Sequence, residues 1–223
     1  MLNKKLKISN LFSLEHSIAG SKLEKYEYPW QILPDIKNII LDIGKTLSLE
    51  EYEMVKPNVW VHKTARIAPT AYLGEPCIIG ANTEVRHCAF IRGSALVGEN
   101  CVVGNSVELK NVILFNNVQT PHYNYVGDSI LGYKSHMGAG SITSNVKSDK
   151  TLVTIKVDGE IVKTGLKKMG AILGDYVEVG CNSVLNPGTI IGPNTNVYPL
   201  TSARGYYDSG MIVKSGAVQV KKN

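Results

Sequence analysis

Aliphatic side chains recur at a strict spacing of six: Val61, Ile67, Leu73, Ile79, Val85, Ile91, Val97, Val103 and Leu109. Four residues after each stands a small or β-branched residue, namely Ala65, Ala71, Cys77, Thr83, Ala89, Ala95, Cys101, Val107 and Ile113. The register resumes at Leu131, Met137 and Thr143, and again at Leu173, Val179, Leu185, Ile191 and Val197. A period of six fits neither the 3.6-residue helix nor simple two-residue strand alternation. It fits short strands joined by sharp corners, three six-residue segments closing one triangular turn. The chain is therefore expected to be all-β, a left-handed parallel β-helix of hexapeptide repeats. Each aliphatic residue points inward onto its counterpart one coil away, roughly 4.8 Å along the axis. Gly74, Gly80, Gly98 and Gly104 follow directly behind their aliphatic partners and are expected to provide the backbone angles of the corners.

The repeat also divides the chain. Residues 1–57 carry no hexads and are expected to form a small helical N-terminal cap or arm, with 58–223 as the β-helix domain. Within 1–57, apolar Ile36, Ile39, Ile40 and Ile43 predict an amphipathic helix over 36–47. Ser48 followed by Glu51 spells a capping box for a second short helix. Two interruptions of the repeat are expected to leave the scaffold as excursions. One is the loop 115–128, FNNVQTPHYNYVGD; the other is 147–169, whose alternating residues turn about Asp158-Gly159 as a β-hairpin. Excursions from a rigid scaffold are where function tends to sit.

Composition narrows the function classes. A net charge of +5 favours anionic small molecules, yet no lysine-rich tract marks a nucleic-acid surface. No apolar run approaches a membrane span and no signal-peptide core forms, so a cytoplasmic protein is expected, without membrane or nucleic acid as partner. The four cysteines lack CxxC spacing, and Cys77 and Cys101 fall on core positions as reduced thiols.

Chemistry is spelled in three places. His122 stands in Pro121-His122-Tyr123-Asn124-Tyr125, where an imidazole could take a proton near neutral pH. Arg92 and Lys110 are eighteen residues apart and should stack on one side of the prism, where two like charges invite a bridging anion such as phosphate. Met137-Gly138-Ala139-Gly140-Ser141 should form a tight corner whose backbone N–H groups could polarise a carbonyl.

From about residue 92 to 145, the strings VELKN, PHYNYVGDSILG and MGAGSITSN resemble the acetyltransferase domain of bifunctional N-acetylglucosamine-1-phosphate uridyltransferase / glucosamine-1-phosphate N-acetyltransferase. The segment VKTGLKKMGAILGDYVEVG and its hairpin resemble the C-terminal domains of archaeal-type sugar-1-phosphate nucleotidylyltransferases. The resemblance implies a homotrimeric, acetyl-CoA-dependent N-acetyltransferase acting on an amino-sugar 1-phosphate, with active sites between subunits and no metal in the transfer. It implies His122 as general base and Ala139 N–H as the donor to the acetyl carbonyl. Arg92 and Lys110 would hold the sugar phosphate, Tyr125 and Asn145 the sugar, and Lys150 would reach a neighbouring subunit's site. Cys181 and Lys214 fall where the family contacts coenzyme A.

Two positions depart from the pattern. His136 replaces an Asn of the sugar pocket, and Val146 a Tyr. The uridyltransferase half has no counterpart here: no glycine-rich nucleotide loop opens a βα unit near the start of the chain. Two other readings compete, a non-catalytic trimeric oligomerisation or regulatory module and an acyltransferase with a different amine acceptor. A zinc centre of the γ-carbonic-anhydrase kind needs three converging histidines. His87 and His122 are about two coils apart, but Gly127 and Asp128 stand where a third is required, and His62 and His136 do not supply it.

Overall fold

The computed structural model describes residues 4–222. Its core is a parallel β-helix of triangular section in which the inward positions named above stack coil upon coil. On the first face Leu73 pairs with Ile91, Ile91 with Leu109 and Leu109 with Val126, and Thr143 and Leu185 continue the column. The second face stacks Val61, Ile79, Val97, Leu114, Leu131, Leu173, Ile191 and Tyr207. The third stacks Val85, Val103, Thr120, Met137, Val179, Val197 and Val213. Strands Glu108–Leu114 and Tyr125–Leu131 run unbroken around the corner from the first face to the second.

Three columns of left-handed residues mark the corners. Asn82, Asn100, Asn117, Lys134, Tyr176 and Asn194 form one, and Cys88, Ser106, Tyr123, Asn182 and Leu200 another. Ser94, Asn111 and Asp128 belong to the third. The glycines expected to supply these angles do not: Gly74, Gly80, Gly98 and Gly104 are absent from the positive-φ set. They are small because the next coil passes close. A Cβ on Gly80 would lie 2.6 Å from the Gly98 carbonyl carbon, a distance no side chain tolerates. Asn, with a short side chain that tolerates left-handed backbone, does the turning instead.

The segment 115–128 is likewise no excursion. It continues the solenoid through strands Gln119–His122 and Tyr125–Leu131, each paired on both sides. The hexad register was lost there because two successive coils are one residue short: Val103 stacks on Thr120 and Thr120 on Met137, each step seventeen residues rather than eighteen. The second interruption does leave the scaffold. Strands Thr154–Val157 and Glu160–Lys163 pair antiparallel about Asp158 and Gly159, both at positive φ, and Met169 N–H bonds to Asn145 O (3.0 Å) where the coil resumes.

Apart from a single 3-10 turn at Ser215–Ala217, the helical elements of the described residues lie within 4–44. The amphipathic helix is present as Ile36–Gly44, with Ile36, Ile39, Ile40 and Ile43 buried. The second helix is not. Ser48 accepts from Glu51 and Tyr52 N–H in a single turn, after which Tyr52–Lys56 extends and pairs antiparallel with Val59–His62. β-branched and aromatic residues over 52–61 favour that strand over a helix. At the other end Val218–Lys221 pairs antiparallel with Met211–Lys214.

The helical segment lies along the second face. That face is apolar on both sides: outward-pointing Ile78, Leu96, Ile113, Ile130, Ile172 and Ile190 are fully buried. Helix Ile36–Gly44 packs over the strands carrying Ile78, Leu96 and Ile113. At one corner Asn111 Nδ2 donates to Leu33 O (3.1 Å). At the other Asn116 N–H donates to His16 O (2.9 Å), Phe12 packs on Phe115 and His16 stacks on Tyr133. Buried Val153, Ile155, Val157 and Val162 bring the hairpin onto the later coils of the solenoid.

Candidate active site

Two groups of expected residues assemble around the first face. Across its outer surface, Arg92 and Lys110 come together as their spacing implied, beside Tyr125 and Asn145, the residues that the resemblance assigns to the sugar. Arg92 and Lys110 stack one coil apart, since their neighbours Ile91 and Leu109 pair directly. The charges are not left facing each other. Arg92 Nη1 bonds to Glu108 Oε1 at 2.8 Å, and Lys110 Nζ bonds to both oxygens of Asp128 at 2.9 and 3.1 Å. The expected repulsion is thus removed by two carboxylates.

Asp128 is the hub of this cluster. It is almost wholly buried and accepts two further hydrogen bonds, from Asn145 Nδ2 (2.6 Å) and Asn111 Nδ2 (3.0 Å). Asn145 Nδ2 also lies 3.2 Å from the Tyr125 hydroxyl, which accepts from it. Burial, and next the Asp128 and Glu108 carboxylates, raise the Tyr125 phenol above its ordinary range. It remains a neutral O–H, able to donate to a hydroxyl of a bound molecule. Glu108 also raises the Arg92 guanidinium, which stays fully charged. Glu108, Asn111 and Asp128 were not singled out from sequence.

The second group lies on the corner between the third and first faces. His122 ends its strand there, exposed. Gly140 N–H bonds to His122 O, Asn182 N–H to Ala139 O and Leu200 N–H to Cys181 O, at 3.0, 2.9 and 3.0 Å. His122, Ala139 and Cys181 therefore stand one above another on successive coils. Lys214 lies beyond them at the same edge, following Val213, whose carbonyl accepts from Tyr198 N–H. Buried Asn124 fixes the spacing of this column. Its side chain accepts from His122 N–H (3.2 Å) and donates to Gly138 O (2.8 Å) and Ser141 O (3.1 Å), tying two coils together.

Two expected site residues stand apart. His136 begins its strand beside Gln119, and its Nδ1 is 3.0 Å from Glu178 Oε2. It lines a 520 Å³ hollow with Asn117, Lys134 and Tyr176, at the far edge of the third face from His122. Lys150 is exposed at a left-handed turn before the hairpin, and among the described residues no hydrogen bond or ion pair joins its side chain to the Asp128 cluster. Among the described residues, no three His, Cys, Asp or Glu side chains gather as a metal ion would require, and no helix is long and apolar enough to cross a membrane.

Residues 90–199, which hold most of this geometry, match a known family model. That model is the GMPPB C-terminal domain. The resemblance to sugar-1-phosphate enzymes extends further along the chain. It is 29% identical over 198 residues to a bifunctional sugar-1-phosphate nucleotidylyltransferase/acetyltransferase of Sulfurisphaera tokodaii, covering 85% of this chain and 49% of that protein. It is 41% identical over 86 residues to the bifunctional protein GlmU of Methanococcus maripaludis, covering 39% of this chain and 21% of that protein. The chain thus spans about half the length of the first of these relatives, or less. Among solved structures, a hexapeptide transferase family protein from Anaplasma phagocytophilum aligns over 73% of this chain and 78% of its own, at 16% identity and a TM-score of 0.42.

Proposed function

We propose that this chain is an acetyl-CoA-dependent N-acetyltransferase acting on an amino-sugar 1-phosphate of the glucosamine or galactosamine type, feeding UDP-N-acetylhexosamine synthesis. The observation that carries the reading is the placement of His122 and Ala139, one coil apart on a corner, beside the polar face built on Asp128. The acetyltransferase named in the Sulfurisphaera tokodaii relative supports the reaction class.

In this reading the exposed His122 imidazole takes a proton as the sugar amine attacks the acetyl carbonyl. A C–N bond forms, the C–S bond breaks, and the proton passes to the departing coenzyme A thiolate. The Ala139 N–H donates to the oxyanion of the tetrahedral intermediate. Tyr125 and Asn145 orient the sugar, and the Arg92 guanidinium, with N–H groups beyond the one held by Glu108, faces its phosphate. Acetyl-CoA lies along the corner past Cys181 toward Lys214. The molecule acts as a cytoplasmic homotrimer, with Lys150 entering the site of a neighbouring subunit.

The test is release of free thiol from acetyl-CoA with a panel of hexosamine 1-phosphates. Turnover of at least one is expected, and neither coenzyme A binding nor turnover would sink the proposal. His122→Ala is expected to lower turnover roughly 10²–10⁴-fold with thermal stability unchanged, because the loss is of general-base catalysis alone.

A further inference from the structure

A hollow of about 420 Å³ lies where the helical segment meets the first coils, on an edge of the prism that does not border the first face. The end of helix Ile36–Gly44 and the turn after it form one side, and strands Tyr52–Lys56 and Val59–His62 form the other. Glu99 closes it, just before Asn100 in the corner column between the second and third faces. The wall is apolar at Ile18, Ile43 and Leu47, and polar at Glu51, Tyr52 and Glu99. Backbone bonds fix both glutamates. Glu51 N–H bonds to Ser48 O (3.1 Å) and Glu51 O accepts from Lys63 N–H (2.9 Å), while Glu99 N–H bonds to Asn116 Oδ1 (2.9 Å).

Three polar groups here are unmet within the chain. Tyr52 is only 7% exposed and lines the hollow, yet its hydroxyl has no hydrogen-bond partner among the described residues. Its ring stands edge-on to His62, 4.9 Å between centroids, which fixes its direction. Burial, and next the Glu99 and Glu51 carboxylates, raise this phenol above its ordinary range, so its neutral hydroxyl is turned towards the two glutamates. Neither the Glu51 nor the Glu99 carboxylate has an ion-pair partner among the described residues, and Lys22 on the rim reaches neither. The hollow also takes the carbonyl end of a nine-residue helix, the negative pole of its dipole. In a chain of net charge +5 this is a local negative potential.

Such a wall calls for a cation. A bare metal ion does not fit, because among the described residues no three His, Cys, Asp or Glu side chains gather closely enough to hold one. An ammonium or guanidinium group can instead donate to separated carboxylates and to the phenol oxygen, while Ile18, Ile43 and Leu47 cover an apolar body. The volume falls within the range of small-molecule sites. We propose that this hollow binds a small organic cation, an amine or guanidine carried on an apolar body, held by Glu51, Glu99 and Tyr52. An occupant would tighten the joint between the helical segment and the first coils. The site lies on a different edge from His122 and does not rest on the acetyltransferase reading.

The experiment titrates the full chain by calorimetry with phenethylamine, and with 2-phenylethanol and phenylacetate as neutral and anionic counterparts, at about 0.15 M salt to screen loose surface pairing. Saturable binding of the amine, one per chain, is expected, and the amine should raise the Tm because it binds only the folded chain. The alcohol and the acid should bind at least about tenfold more weakly. Glu51→Gln/Glu99→Gln should weaken amine binding by about tenfold or more and abolish the Tm shift. Tyr52→Phe keeps the ring against His62 and removes only the hydroxyl, so it should weaken binding by about two- to tenfold, the worth of one hydrogen bond. Amine binding that the Gln pair leaves unchanged, or equal binding of the alcohol, would mean apolar adsorption and overturn the proposal. A Kd for the amine weaker than about 10 mM would overturn it as well.

Discussion

At the scale of single residues, Asp128 is the side chain on which the candidate site depends most. Its carboxylate accepts from Lys110, Asn111 and Asn145, and its own backbone is left-handed. Asp128→Ala would leave a half-buried ammonium and two amides without their acceptor, and the expected cost is about 3–5 kcal/mol, the range for breaking a buried pair. Urea unfolding checks it, and a loss under 1 kcal/mol would mean that water replaces the carboxylate. The stacking of Arg92 on Lys110 was legible in the spacing. The role of Asp128 was not, because the seventeen-residue coil sets Asp128 over Asn111 rather than over Lys110, and only the folded register shows that one carboxylate reaches both. The cysteines obeyed the sequence more simply. Burial raises the Cys77 and Cys101 thiols to about 12 from the ordinary 9.0, whereas Cys88 and Cys181 are exposed. Two of four thiols should react rapidly with a disulfide reagent in the native state. Because the folded values are raised, the stability held by the neutral buried thiols is fully present below pH 9.0 and is lost as pH climbs towards about 12. Replacing both by Ala should flatten that alkaline decline, which thermal melts across pH 8–12 would show.

At the scale of the coil, the six-residue period specified which residues face inward but said nothing about how adjacent coils touch. Glycine and asparagine divide two tasks that the sequence reading gave to glycine alone. Gly80 is needed for space, since a Cβ would press on the backbone of Gly98 and Glu99. Asn82 is needed for its left-handed φ of 56°. The two therefore respond oppositely to substitution. Gly80→Ala should destabilise by about 1–3 kcal/mol through overpacking. Asn82→Gly should be close to neutral, while Asn82→Ala should cost roughly 1–2 kcal/mol of backbone strain. Shifts in urea midpoint at constant slope would establish the pattern, and a tolerated Gly80→Ala would contradict it. The same distinction explains why 115–128 read as a loop. A coil one residue short keeps its inward column, Thr120 on Val103 and Val126 on Leu109, while a fixed-period template loses step.

At the scale of the whole molecule, the helical segment determines which surfaces remain open. It takes the second face, whose outward isoleucines and leucine a lone prism would leave in water, and Lys5 joins it by ion pairs to hairpin residue Asp158 and to Asp208 (3.0 and 2.9 Å). No period in residues 1–57 could announce this, because what it matches is a second apolar stripe interleaved with the first among the hexads. With that face covered, another copy can approach the first and third faces, and the corner between them carries His122, Ala139 and Cys181. A closed ring of three copies would then bring each His122 corner beside a neighbour's surface, and exposed Lys150, which makes no side-chain bond to the Asp128 cluster of its own chain among the described residues, would serve that neighbour's site. Sedimentation should give three times the 24.3 kDa of one chain. His122→Ala and Lys150→Ala chains, each of low activity alone, should complement when denatured together in equal amounts and refolded. In random threefold rings about one site in four has an intact His122 facing an intact Lys150, so activity should recover to roughly a quarter of wild type. Recovery no greater than the mean of the two parents would place both residues in one subunit's site, or Lys150 in none.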